Sequence, residues 1–128
     1  MDMRRLDHVG VIVDDLDEAS RLLEALGLVE QERGEHDGLR LAFFSAGNAL
    51  VEIIEPTDPE VRAQRLGDAR ARIEHIAFEI GDLDAALSAL GALGVEPNAP
   101  PRRLPDRAMF WTDPDTSDGI MFQFVQRS

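Results

Sequence analysis

Two stretches of this chain follow one pattern at a fixed offset. Asp7-His8-Val9-Gly10-Val11-Ile12-Val13 leads into Asp14-Asp15-Leu16-Asp17-Glu18-Ala19, and later into Ala25-Leu26-Gly27. Glu74-His75-Ile76-Ala77-Phe78-Glu79-Ile80 leads into Gly81-Asp82-Leu83-Asp84-Ala85-Ala86, and later into Ala92-Leu93-Gly94. His75, Asp82 and Gly94 each lie 67 residues after His8, Asp15 and Gly27. A repeat of this length constrains the architecture more than any composition does, because each copy must be one supersecondary unit that needs its neighbour to bury a face.

The elements within each copy follow from periodicity. Residues 6–13 are rich in β-branched side chains and read as a buried strand. Asp14 to Asp17 supply a turn and a helix cap, with Asp15 or Asp17 as the capping residue. Leu16, Ala19, Leu22, Leu23 and Leu26 then recur at helical spacing, and Gly27 closes the helix. Strands over 29–35, 39–45 and 49–55 follow, the last stopped by Pro56. A connection from Thr57 to Arg72 holds a short helix beginning near Pro59. The boundary is placed near Gly67–Arg70, giving module one as 1–68 and module two as 69–128. The second module repeats the plan with a strand over 73–80 and a helix over 82–93. A proline-rich stretch, Pro97 to Pro105, replaces a regular strand, and strands over 108–111 and 120–125 complete it. The expected fold is therefore α+β: two tandem βαβββ modules forming a curved sheet around a metal-binding cleft, with helices outside.

Composition narrows the chemistry. The 128 residues make one domain able to bury a core. The net charge of −12 argues against nucleic acid or an anionic membrane as partner, since both demand a basic surface. No apolar run approaches the ~18 residues needed to cross a bilayer. The N-terminus leads straight into a strand, so no secretory signal and a cytoplasmic location are expected. Cysteine and tyrosine are absent and all 13 basic residues are arginine, which removes thiolate, phenolic and Schiff-base chemistry. Histidines, carboxylates and a metal remain.

Side-chain alternation places the candidates. If Val9, Val11 and Val13 pack on the helix, then Leu6, His8, Gly10 and Ile12 share the opposite face, matched by Ile73, His75, Ala77 and Glu79. The small Gly10 and Ala77 leave room beside each histidine. Leu50-Val51-Glu52-Ile53-Ile54-Glu55 corresponds to Met121-Phe122-Gln123-Phe124-Val125-Gln126, so Glu52 and Gln123 sit mid-strand in otherwise apolar runs. A carboxylate there is costly unless paired or metal-bound. His8, His75 and Glu52, with Gln123 as a fourth oxygen donor, suit a divalent ion: Co, Ni, Mn, Fe or Zn. His36, in a polar loop, is expected to be exposed and without a role.

These same motifs carry a resemblance. Leu6-Asp7-His8-Val9-Gly10, Asp15-Leu16-Asp17-Glu18-Ala19, Val51-Glu52-Ile53-Ile54-Glu55-Pro56 and Ile73-Glu74-His75-Ile76-Ala77-Phe78-Glu79-Ile80 resemble the vicinal oxygen chelate superfamily, and within it the methylmalonyl-CoA epimerases. The resemblance implies paired βαβββ modules, a divalent metal on His8, Glu52, His75 and Gln123, and a homodimer. It implies a small-molecule substrate, including an acyl-CoA, and proton abstraction next to a carbonyl. Glu52 is then the base as well as a ligand. The pattern departs from the epimerases at Gln123, where a Glu is usual, and at Leu41, where some carry a second catalytic Glu. Pro114 is followed by Asp115 rather than Lys. Arg102, Arg103 and Arg107 are the basic residues left for phosphates. The alternatives are a glyoxalase I-like lyase, an extradiol-type iron dioxygenase using His8, His75 and Glu52, and a non-catalytic small-molecule binding protein.

Overall fold

The computed structural model describes residues Met1–Ser128. Its elements run β1 (Met3–Val13), α1 (Leu16–Ala25), β2 (Val29–His36), β3 (Leu39–Ser45), β4 (Leu50–Pro56), α2 (Pro59–Arg65), β5 (Ala71–Ile80), α3 (Leu83–Gly91), β6 (Arg102–Arg103), β7 (Arg107–Trp111) and β8 (Met121–Arg127). The β-α-β-β-β order expected from the repeat is present twice, and the chain is mixed α+β. The proline-rich stretch forms only the two-residue β6 and a single bridge between Pro97 and Thr112. Prolines cannot donate to a ladder, so this stretch supports little pairing.

The chain divides into two compact units: His8–Glu74, and Met1–Asp7 together with His75–Ser128. In the first, the strand order is β2-β3-β4-β1, with β1 parallel to β4 and the other neighbours antiparallel. Val13, Leu16, Ala42, Phe44 and Ile53 make its main core, joined by Val11, Ala19 and Leu23, so one face of the sheet is packed by α1. Val11 and Val13 thus pack on the helix, as the alternation requires. The opposite face has its own cluster, in which Ile12, Ile54, Leu39 and Leu41 meet Leu66 at the end of α2.

The second unit repeats this plan in the order β5-β8-β7-β6, with β5 parallel to β8. Ile80, Leu83, Ala86, Phe110 and Phe124 form its core with Phe78, Leu87, Leu90, Ala108 and Phe122. The N-terminal residues join it locally. Gly81 donates its N–H to the Asp2 carbonyl at 2.8 Å. Arg127 reaches the Asp7 carboxylate at 2.6 Å.

Helix starts are duplicated too. Asp15 accepts from the N–H of Glu18 at 3.0 Å, and Asp82 from that of Ala85 at 3.1 Å. The capping residue of α1 is therefore Asp15 rather than Asp17. A second acceptor reaches each helix from the last strand of its module: Glu55 Oε1 takes the N–H of Leu16 at 2.8 Å, and Gln126 Oε1 that of Leu83 at 2.7 Å. These acceptors satisfy donors that every helix leaves orphaned in its first turn. At the far end, Gly27 adopts φ +96°, a left-handed conformation that costs glycine little and other residues much.

Candidate metal centre

Each module builds its polar position by the same local rule. In the parallel pairing of β1 with β4, Gly10 lies opposite Glu52, two residues after His8. In the pairing of β5 with β8, Ala77 lies opposite Gln123, two residues after His75. Residues opposite one another on neighbouring strands share a face, and so do residues two apart on one strand. His8 and Glu52 therefore project from one face of their sheet, and His75 and Gln123 from the equivalent face of theirs. The small residue between them keeps the position open.

The side chains are withdrawn from solvent. His8, Glu52, His75 and Gln123 are 5, 9, 4 and 5% exposed. Four polar groups at that depth need partners. His8 Nε2 lies 3.4 Å from Glu52 Oε1. Phe43, opposite Glu52 on β3, sets the edge of one ring to the face of the other against His8, with centroids 5.4 Å apart. The Gln123 amide N–H donates to Met109 Sδ at 3.5 Å, so the amide oxygen is the end of that side chain suited to a cation.

His8 and Glu52 meet within the first unit, and His75 and Gln123 share one sheet face of the second. Two donors bound to one ion at about 2.0–2.2 Å stand roughly 3–3.5 Å apart when adjacent in its shell. The His8–Glu52 separation fits that spacing, and two imidazoles with one carboxylate fit a borderline divalent ion. His36 is exposed at the end of β2 and belongs to no such group.

Two features escaped the sequence reading. The residue before each histidine is a buried acid held by arginine. Asp7 is 1% exposed and takes Arg127 and Arg5. Glu74 takes Arg65 through two bonds of 2.6 and 2.8 Å. Those bonds lift the Arg65 guanidinium above its usual range against the cost of burial, and the charges of Glu74 and then Glu52 add to the lift. The signal was available, because Asp7 and Glu74 are also 67 residues apart. The second missed feature is the pair Glu55 and Gln126, whose sequence positions resemble any polar residue at a strand end.

A model of the Glyoxalase/Bleomycin resistance protein/Dioxygenase superfamily matches residues 5–124. The chain belongs to that superfamily. Among its relatives, the uncharacterized protein YqjC of Bacillus subtilis is 33% identical over 92 residues, covering 69% of this chain and 66% of that protein, just under two thirds of its length. The superfamily fold is shared with the methylmalonyl-CoA epimerase of Mycobacterium tuberculosis, at TM-score 0.85 and 27% identity, with 98% of this chain and 89% of that one covered. A variant of the Streptomyces coelicolor methylmalonyl-CoA epimerase, in complex with 2-nitronate-propionyl-CoA, matches at TM-score 0.80 and 23% identity over 98% of this chain and 99% of that one. The latter likeness is one of fold.

Proposed function

We propose that this protein is a divalent-metal-dependent isomerase that abstracts a proton from the carbon next to a carbonyl, in the manner of a methylmalonyl-CoA epimerase. The observation that carries the reading is the buried His8–Glu52 pair at 3.4 Å, with His75 and Gln123 buried at the repeated positions of the second unit. Its substrate is a small molecule, an acyl-CoA thioester in the first instance, and the resemblance makes the working form a cytoplasmic homodimer.

His8, Glu52, His75 and the Gln123 oxygen are the residues that would hold the ion. A divalent ion there supplies Lewis acidity toward carbonyl oxygens. Glu52 takes the α-proton: the C–H bond breaks, the proton passes to a carboxylate oxygen, and the electron pair moves toward the carbonyl oxygen. Burial keeps bulk water from competing for that proton. Inversion is completed by a proton from solvent on the opposite side of the carbon, and Glu52 then releases its own proton to solvent, so that none is gained or lost.

The wash-in of solvent deuterium at the α-carbon of methylmalonyl-CoA tests this, using protein purified without a His tag and loaded with cobalt. Wash-in that disappears in Glu52→Ala supports the reading; none in the wild type removes it. A second reading is favoured by one residue. Leu41 is packed against Ile12, Ile54 and Leu66, where some epimerases carry a second base. A single base suits a glyoxalase I-like reaction, which shuttles one proton on one side. Turnover of a hemithioacetal without wash-in on the thioester selects that reading.

A further inference from the structure

The ligand face of the second unit carries more than Gln123. Across the sheet, Ala77, Gln123 and Trp111 lie opposite one another on β5, β8 and β7. One step along the strands, Val125, Met109 and Arg102 do the same on β8, β7 and β6. Trp111 and Arg102 therefore share the face of Gln123. The neighbours confirm the alternation. Arg103, one residue on, lies opposite Ala108 of the helix-side core, and it bonds Asp84 of α3 at 3.0 Å. Five of the six phenylalanines pack into the two helix-side cores, leaving Phe43 and Trp111 as the aromatic rings on the ligand faces.

The three arginines of this corner are not equivalent. Arg103 is engaged by Asp84 and Arg107 by Asp106. Arg102 is exposed and forms no ion pair, and the half-buried Trp111 keeps its indole N–H free of hydrogen bonds in the chain. In a protein of net charge −12, a cation left uncommitted on the same sheet face as an aromatic ring and Gln123 is suited to pairing with an anion.

We infer that Trp111 and Arg102 determine specificity by selecting an extended anionic substrate: its carbonyl end at Gln123, its apolar middle on the Trp111 ring, and a phosphate or carboxylate paired with Arg102. Strand spacing puts the Arg102 and Gln123 backbones about 12 Å apart, a span too long for a compact dicarboxylate. This rests on the proposed function only in taking the Gln123 face as the reactive side.

Trp111 is the sole tryptophan, so its fluorescence reports on this corner directly. Cobalt-loaded protein is titrated with methylmalonyl-CoA, with coenzyme A and with methylmalonate. The expected result is a saturable change in which Arg102→Ala raises Kd about tenfold, Arg102→Lys recovers part of it, and Arg103→Ala has no effect. Response to coenzyme A identifies phosphate as the anion; an equal response to methylmalonate overturns the inference, because that compact dicarboxylate cannot span from Gln123 to Arg102. An Arg102→Ala titration matching the wild type, or an equal loss in Arg103→Ala, overturns the inference. Deuterium wash-in separates it from the functional reading. Arg102-dependent binding without wash-in leaves the inference standing and removes the epimerase. Wash-in unaltered in KM by Arg102→Ala does the reverse. Neither binding nor wash-in in the wild type overturns both.

Discussion

His8 Nε2 and Glu52 Oε1 stand 3.4 Å apart on neighbouring parallel strands, with Gly10 rather than a larger residue opposite the carboxylate. That separation suits two donors in one coordination shell. His8→Ala and His75→Ala are each expected to lower cobalt content from near one ion per chain to near zero, with loss of the cobalt visible bands. The circular dichroism spectrum should stay unchanged, because neither histidine belongs to a helix-side core. Retention of stoichiometric cobalt in either variant contradicts the centre.

Gln123 occupies the position that corresponds to Glu52 in the repeat, but as a neutral amide. Gln123→Glu places a second carboxylate on the ligand face. It should raise the deuterium wash-in rate of methylmalonyl-CoA by about tenfold or more, since a positioned base contributes on the order of 10²–10⁴. A lower rate means that the neutral amide is required, which favours the lyase reading, and an unchanged rate contradicts a base at this position.

The paired helix caps allow a comparison within one molecule. Asp15→Ala and Asp82→Ala each remove one acceptor from a first helical turn and should cost about 1 kcal/mol apiece. Calorimetry should show Tm falling by roughly 3–5 °C for each, with near-additive effects in the double variant. Glu55→Ala should cost more than Asp15→Ala, because Glu55 accepts from Leu16 and also pairs with Arg40.

Buried Asp7 depends on its arginines. Arg127→Ala removes the shorter of its two arginine contacts, 2.6 Å against 3.3 Å for Arg5. Urea unfolding should show a loss of about 1–3 kcal/mol, since desolvation of the carboxylate is then less compensated. Arg4→Ala, whose partner Asp2 is exposed, should be nearly silent and serves as the control.

The 67-residue repeat was decisive at the sequence level because it duplicates whole local rules. His8 and His75, Asp15 and Asp82, and Gly27 and Gly94 recur because a strand, a cap and a helix stop are set by short-range chemistry. Alternation along single strands was equally legible, and Val11 and Val13 pack where parity puts them. Strand register was not legible, since it depends on contacts far apart in the chain. The rows Gly10–Glu52–Phe43 and Ala77–Gln123–Trp111 exist only once β1, β3 and β4, or β5, β7 and β8, are laid side by side. The same holds for Asp7 with Arg127 and for Leu16 with Glu55, partners 120 and 39 residues apart. Sequence by itself determined which residues are polar within apolar strands and that they come in pairs. Tertiary structure alone decided which of them meet, because burial leaves a polar group stable only beside the partner that folding brings to it.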